Sequence, residues 1–465
     1  MLNTEKKEQC AVLGISAQRD IFSELYFGLY ALQHRGQESA GIALYSGEEI
    51  IVHKDMGLVS EVFREVEMDG KVGIGHVRYS TTGQSKIENS QPFIINYAKG
   101  SFAIGHNGNL VNGMELRDTL EAHGHIFSTT TDTEVIAHLI AREHIKTGSL
   151  IDGIKQTMSL LKGSYCLTIL YKDKLLGVRD PHGFRPLVYG HNHEMHVIAS
   201  ESCALDALKV PRVRDVKPGE ILIITKDGRV KSYHVPSGKP SHCMFEYVYF
   251  ARPDSIIDGV SVFRVRKNLG RRLYEDSKCK YKNIKPDLVI PVPNSGVSAG
   301  IGYAEASKIP YSEGLMKNLY VGRTFILPEQ HQREMGVRVK LNPIVSEIKG
   351  KSIVLVDDSI VRGTTLRRIV RLLKEAGARE VHVRITCPPI KYPCPYGIDM
   401  QTAEQFIANE KTIEEIRKSI GATTLYYNTI KALVDSIGIP REHLCLACLN
   451  GCYPAKEPQR KLVIG

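Results

Sequence analysis

Tryptophan is missing from all 465 residues, and no apolar stretch approaches the roughly 18 residues a membrane-spanning helix requires. Internal repeats, low-complexity segments and a helix-turn-helix pattern at either end are also lacking. Basic residues outnumber acidic ones for a formal net charge of +10, yet they form no single block or stripe. Nucleic-acid binders concentrate such an excess. Spread thinly among acids, it suits an enzyme for phosphorylated substrates, with no nucleic-acid and no membrane partner. The segment Met1–Gln9 is polar and too short for a signal peptide with its apolar middle, so a cytoplasmic protein is expected. In that reducing setting the ten cysteines are not a disulfide framework. A metal, a nucleophile or plain burial compete to explain them, and the pair Cys445 and Cys448 has the spacing that lets two thiolates face one centre.

The length predicts two or three domains. Residues 10–235 alternate short strands with glycines: Val12–Ser16, Ile42–Tyr45, Val72–Arg78, Ser101–His106, Cys166–Tyr171, Leu175–Arg179, Leu187–Gly190 and His196–Ser200. Helical spacing marks Ile21–Gln33, Asp132–His144 and Ile151–Leu161, with Asp132 in the N-cap position. Runs of strands with few helices predict an α+β domain of layered sheets. After a Pro/Gly/Ser linker near 235–240 the pattern changes. Helix Ser261–Glu275, strand Asp287–Pro291, strand Ser352–Val356, helix Thr365–Ala376 and strand Glu380–Thr386 predict an α/β domain with a parallel sheet over 236–465. Two more helical stretches and the cysteine pair follow in Thr412–Gly465.

The most specific segment is Val354-Leu-Val-Asp-Asp-Ser-Ile-Val-Arg-Gly-Thr-Thr365, a buried strand running straight into acids and a small-residue turn. In open α/β sheets ligands bind at the carboxyl ends of strands, beside helix N-termini. Gly363 lets backbone approach a phosphate, while Ser359, Arg362, Thr364 and Thr365 offer donors. Asp357 and Asp358 repel phosphate and instead suit a hard cation such as Mg²⁺, or ribose hydroxyls. A second strand and turn, Val289–Gly296 with Asn294, Ser295 and Gly296, suits a second phosphate group. Between the two lies Lys317–Pro343, a basic segment without periodicity (Lys317, Arg323, Arg333, Arg338, Lys340) that reads as a lid.

In the first half, Cys10 opens a strand, where a cysteine is more often core than catalyst. Three segments change that balance. Gly75-His-Val-Arg-Tyr-Ser-Thr-Thr-Gly83 places the cation Arg78 before a loop containing Thr81, fit to clamp an α-carboxylate. Gly105-His-Asn-Gly-Asn-Leu110 supplies the Asn107 amide and the Gly108 N–H, the parts of an oxyanion hole. Asp132 can accept from an α-ammonium group. Together they describe a bound amino acid undergoing acyl transfer. His76 and His106 are as readily structural as catalytic.

Asp357–Thr365 resembles the loop that holds ribose 5-phosphate in type I phosphoribosyltransferases, Val289–Gly296 their pyrophosphate loop, and Lys317–Pro343 their catalytic lid. That resemblance implies Mg²⁺ held near Ser295, Asp357 and Asp358. The first half, with Gln33-His-Arg-Gly-Gln-Glu-Ser39, resembles the class II, N-terminal-nucleophile glutaminases. In that family the cysteine is the first residue of the mature chain and its own α-amine is the base, so removal of Met1–Gln9 is implied. The fusion, including Arg179–Pro186 and Phe245–Asp254, resembles the amidophosphoribosyltransferase family over nearly the whole chain. It implies the first committed step of de novo purine synthesis, in which glutamine and phosphoribosyl pyrophosphate give 5-phosphoribosylamine, glutamate and pyrophosphate. It implies as well an internal ammonia passage, a homotetramer and feedback inhibition by purine nucleotides. The leader favours the branch of the family that carries an iron–sulfur cluster, with Cys243, Cys394, Cys445 and Cys448 matching its ligands. Ligand count alone suits [4Fe–4S] and Zn²⁺ equally, and Cys452 could compete as a ligand. Other class II amidotransferases would need a different acceptor domain, and a regulator that only binds phosphoribosyl pyrophosphate has no use for Cys10, Arg78 and Asn107.

Overall fold

The structure, a computed structural model, describes residues 10–79, 85–236, 238–318, 341–400 and 402–455. Strand Ala11–Ala17 is buried along its whole length because both of its faces are covered. Alternation sends Val12 to one side and Leu13 and Ile15 to the other. Among the described residues it lies inside a seven-stranded antiparallel sheet ordered Arg212–Asp215, Val188–His191, Met195–Ala199, Ala11–Ala17, Val72–Arg78, Ser39–Tyr45, Ile50–Met56. A six-stranded antiparallel sheet faces it, ordered Val230–His234, Glu220–Ile224, Lys174–Arg179, Gly163–Tyr171, Gly100–Leu110, Phe93–Tyr97.

Val12, Ile74 and Ala43 of the first sheet meet Leu170, Leu175 and Leu222 of the second. Helix Phe22–Ala31 packs Leu25 and Leu29 on the outer face of the first sheet. Helices Asp132–Thr147 and Leu150–Leu160 cover the outer face of the second. The result is a four-layer α+β sandwich. Gly75 leaves room where Leu29 crosses the sheet, since a Cβ there would stand 2.8 Å from the leucine Cδ1.

The second half is a parallel sheet ordered Leu288–Pro291, Ser352–Asp357, Glu380–Ile385, Thr424–Tyr427. Leu288–Pro291 and Ser352–Asp357 are short and largely apolar, as strands covered on both sides are, whereas Glu380–Ile385 and Thr424–Tyr427 carry polar residues. Helices Thr364–Glu375 and Ile413–Ile420 cover one face through Leu366, Ile369, Leu373, Ile416 and Ile420. Helices Val262–Ser277 and Val297–Ser307 cover the other through Leu273, Ala299 and Tyr303. Among the described residues no helix is long and apolar enough to cross a membrane.

Several sequence expectations need correction. Thr131, not Asp132, is the N-cap of its helix; Asp132 is the first helical residue and its Oδ2 instead accepts from the Leu110 amide at 2.9 Å. The strand Ser101–His106 runs on through Gly100–Leu110. Strands Ile50–Met56, Arg212–Asp215 and Val230–His234 carry many polar residues on solvated faces and so lack a clear alternation. The ends of the Lys317–Pro343 segment are not loop: Leu315–Lys317 pairs antiparallel with Leu341–Pro343. Residues 319–340, with Arg323, Arg333, Arg338 and Lys340, lie outside the described residues, as do Met1–Gln9 and Thr81.

Two candidate sites and a cysteine centre

Cys10 stands at the start of the buried strand Ala11–Ala17, beside the end of Val72–Arg78. One pocket is lined by Cys10, Arg78, Gln91, His106, Gly108 and Asp132. The Cys10 Sγ lies 3.6 Å from the Tyr79 carbonyl oxygen. Burial pushes its thiol up, with partial opposition from a backbone hydrogen bond of Tyr79 and from Arg78. Burial therefore favours the thiol over the thiolate.

Arg78 is 2% exposed, and its Nη1 donates to Glu38 Oε1 at 2.8 Å. Glu38 belongs to the Gln33–Ser39 turn, which lies so close to Arg78 that a Cβ on Gly36 would stand 2.7 Å from the Arg78 nitrogen. That packing explains a motif to which sequence reasoning could assign no role. Burial works against the charge of Asp132, but His106 at 3.5 Å and the Leu110 amide hold its carboxyl below the usual range. Burial holds His76 neutral, down to about 3, and its Nε2 donates to the His106 carbonyl at 3.0 Å. His76 thus links strand Val72–Arg78 to strand Gly100–Leu110.

Asn107 is buried, and its Nδ2 has no acceptor among the described residues. A donor left unsatisfied in the interior is costly unless a ligand completes it. Gly108 follows, where a Cβ would collide with the Ser164 carbonyl at 2.1 Å. Gln91, which sequence reasoning missed, steadies this strand: its Oε1 accepts from the His106 amide at 2.7 Å and its Nε2 donates to Thr133 Oγ1 at 3.0 Å. A lone glutamine in a loop carries no signal in sequence.

At the other site, strand Ser352–Asp357 delivers Asp357 and Asp358 to the carboxyl edge of the parallel sheet, both buried. Ser295 Oγ donates to Asp358 Oδ1 at 2.8 Å and Ser359 Oγ to Oδ2 at 2.6 Å, so the two loops meet at one carboxylate. Gly296 makes that approach possible, since a Cβ would lie 2.4 Å from the Val356 carbonyl. Gly363 caps helix Thr364–Glu375 with φ +78°, a conformation that suits glycine. Asn294, Arg362, Thr364 and Thr365 are exposed around these acids. The N-terminus of that helix opens on the same mouth. Lys317 is exposed at the ribbon end.

Cys243 and Cys445 are direct partners in a short parallel bridge between His242–Cys243 and Leu444–Cys445. The Cys448 carbonyl accepts from the amides of Lys391 and Tyr392 at 2.9 and 3.1 Å, which brings in the Cys394 segment. Burial pushes the Cys243 thiol up to about 11, against the pull of Arg185, and Cys394, Cys445 and Cys448 are raised by burial as well. The charges of these four sulfurs act on one another, and Cys387 joins them at Cys448. Among the described residues, no group of three or more His, Cys, Asp or Glu side chains is arranged to hold a metal ion. Cys452 and Cys279 are exposed, Cys166, Cys203 and Cys387 buried.

A buried ion network ties the halves together. Arg35 binds Glu201 and places Nη2 2.5 Å from Glu246 Oε2, while Arg185 Nη1 lies 3.2 Å from Glu246 Oε1.

Residues 76–207 match the glutamine amidotransferase domain family and residues 265–395 the phosphoribosyl transferase domain family. The chain is 51% identical over 464 residues to an amidophosphoribosyltransferase of Methanothermobacter thermautotrophicus, covering 98% of this chain and 96% of that protein. It is 48% identical to the amidophosphoribosyltransferase of Bacillus subtilis, covering 97% and 94%. The solved structure of glutamine phosphoribosylpyrophosphate amidotransferase from B. subtilis, complexed with ADP and GMP, superposes with a TM-score of 0.90 at 47% identity, covering 97% of this chain and 98% of that one. The chain belongs to the amidophosphoribosyltransferases of purine biosynthesis, which hydrolyse glutamine and transfer its ammonia to phosphoribosyl pyrophosphate.

Proposed function

We propose that glutamine is hydrolysed on Cys10 of a chain from which Met1–Gln9 have been removed, and that the ammonia is consumed at the Asp357–Thr365 loop. The observation that carries this reading is one pocket lined by a thiol, the cation Arg78, the anion Asp132 and Gly108, with the orphaned Asn107 amide next to Gly108 in sequence. Arg78 and Asp132 bind the α-carboxylate and α-ammonium groups, with Thr81 as a further contact. Because burial keeps the Cys10 thiol protonated, attack needs a base, and the α-amine freed by removal of Gln9 is the one within the residue itself. The sulfur adds to the amide carbon while its proton moves to that amine. Asn107 Nδ2 and the Gly108 N–H receive the developing oxyanion. The amine then protonates the leaving nitrogen, and ammonia departs from a thioester on Cys10. Water cleaves the thioester, giving glutamate and restoring the thiol.

At the acceptor site, Thr364, Thr365, Ser359 and Gly363, with Arg362, hold the 5-phosphate. Asn294, Ser295, Gly296 and Lys317 hold the pyrophosphate. Ser295, Asp357 and Asp358 fit Mg²⁺: two buried carboxylates and a hydroxyl converge there with oxygen donors only. When bound, the ion neutralises charge on the departing pyrophosphate. Ammonia forms the new C–N bond at the anomeric carbon as the C–O bond to pyrophosphate breaks, and the extra proton is lost to solvent.

Cys243, Cys394, Cys445 and Cys448 are proposed as ligands of a [4Fe–4S] cluster. Cys243 opposite Cys445 in one parallel bridge, the Cys448 carbonyl bonded to the segment that leads to Cys394, and the nearby cation Arg185 support a centre that binds thiolates. Zinc would draw all four sulfurs to about 2.3 Å from a single point. Purine nucleotides are proposed as regulators, since the B. subtilis relative was solved with ADP and GMP. A homotetramer is proposed from family membership.

The test is pyrophosphate release driven by glutamine or by ammonia. Cys10→Ala should abolish the first and spare the second; loss or survival of both overturns the two-site assignment. Mass spectrometry of active protein should find Cys10 at the N-terminus. Iron analysis with a visible spectrum of anaerobically purified protein should show the cluster, and stoichiometric zinc without iron would replace it.

A further inference from the structure

Strand Gly100–Leu110 has a weakness at the end that carries Asn107 and Gly108. Its pairing with Phe93–Tyr97 stops at Ile104, so residues beyond that point pair with Gly163–Tyr171 alone. The turn Pro395–Tyr396–Gly397, which follows Cys394 directly in the acceptor half, packs against this end. Asn109 Nδ2 donates to the Pro395 carbonyl at 2.9 Å. Ser164 Oγ donates to the Tyr396 carbonyl at 2.8 Å and accepts from the Asn109 amide at 3.2 Å. Gly397 has φ +90°, and a Cβ there would lie 3.2 Å from the Gly108 carbonyl carbon and 3.3 Å from Asn109 Cβ.

The turn is itself rigidly held. The Tyr396 ring stacks on Phe184 with centroids 4.2 Å apart and planes 21° apart. Arg185 Nη2 donates to the Tyr396 carbonyl at 2.6 Å, and the same guanidinium is paired with Glu246. The oxyanion segment is thus steadied by Gln91, a residue of its own half, and by a turn from the other half.

We propose that the Pro395–Gly397 turn is a positioning element of the glutamine-hydrolysing site, setting Asn107 and Gly108 where the oxyanion develops. The proposal rests on the reading of those two residues as oxyanion donors. Such donors act only within about 2.7–3.1 Å of the oxyanion, so a small shift of the strand lowers turnover without loosening the grip of Arg78 and Asp132 on substrate. The ammonia-driven reaction uses neither donor and is untouched. The turn also joins the donor site to the cysteine centre through the backbone of Cys394.

The experiment compares Gly397→Ala, Asn109→Ala and Asn107→Ala in the full-length processed enzyme, with kcat and KM measured for glutamine and for ammonia. Asn107→Ala should lower glutamine-driven kcat on the order of 10²-fold. Gly397→Ala and Asn109→Ala should each lower it about tenfold, with KM for glutamine and ammonia-driven turnover held within about twofold. If Asn107→Ala has its effect while the other two retain full glutamine-driven kcat, the positioning role is wrong and the oxyanion reading survives. An unchanged kcat in Asn107→Ala removes the oxyanion reading and the proposal with it. Equal loss of both activities in both turn variants means the turn only holds the fold, which also overturns the proposal. Asn109→Ala introduces no backbone strain, so the test stands even if Gly397→Ala fails to fold.

Discussion

In the glutamine half the candidate side chains are buried or half-buried and pinned by partners distant in sequence: Arg78 by Glu38, Asp132 by Leu110 and His106, the His106 strand by Gln91. In the phosphoribosyl half Asn294, Arg362, Thr364 and Thr365 are exposed at strand and helix ends, and only the acids beneath them are buried. The contrast follows from the ligands. A small amide must be recognised by side chains in a dry pocket, where charge–dipole interactions are strong. A polyphosphate is recognised by backbone N–H groups and hydroxyls, which one tight turn can supply.

The sharpest way to break the comparison is to remove charge from the acceptor acids. Asp358→Asn keeps the shape but loses the carboxylate that receives Ser295 and Ser359, and should reduce turnover on the order of 10²-fold with glutamine and with ammonia alike. A glutamine-only defect would show that the acid serves the donor side instead. Next in size is Glu246→Ala, which leaves Arg35 and Arg185 buried without their shared carboxylate. It should cost about 3–5 kcal/mol in urea unfolding, with Glu246→Gln losing less. A change below about 1 kcal/mol, typical of exposed pairs, would mean that the network is solvated.

A pH measurement probes the donor half alone. His76 is held neutral with a pKa of about 3, while an unfolded histidine titrates near about 6.5. The unfolded chain therefore binds the additional proton between those values, and stability falls as pH drops through that window. Between pH 7 and 5 the loss from this residue is about 2 kcal/mol, and His76→Gln should flatten that part of the profile. The smallest effect is expected from Gly363→Ala. The left-handed conformation should cost about 1 kcal/mol and raise KM for phosphoribosyl pyrophosphate while leaving KM for glutamine unchanged.

The same contrast explains what could be read before folding. The acceptor loop was legible because Asp357, Asp358, Gly363, Thr364 and Thr365 all lie in the one segment Asp357–Thr365, and the chemistry of a strand-to-helix turn is local. The donor site was legible only as a combination of Cys10, Arg78, Asn107 and Asp132, each ambiguous alone. The roles of Glu38, Gln91 and the Pro395–Gly397 turn were not legible because they are contacts across 40, 15 and 286 residues of chain, respectively. Edge strands such as Val230–His234 escaped because one solvated face and few apolar residues leave little periodicity.

Sequence by itself determined the two-part plan, since strand and helix periodicity, the apolar parallel strands and the phosphate turn are local properties of the chain. It also determined the reaction, because only a glutaminase motif joined to a phosphoribosyl motif calls for both substrates. Tertiary structure alone decided which groups are buried and against what: that burial favours the protonated Cys10 thiol, that His76 is neutral, that Cys243 and Cys445 face each other across one bridge, and that a turn of one half packs against strand Gly100–Leu110 of the other. Those outcomes depend on desolvation and on contacts between residues far apart in the chain, and neither is encoded at any single position.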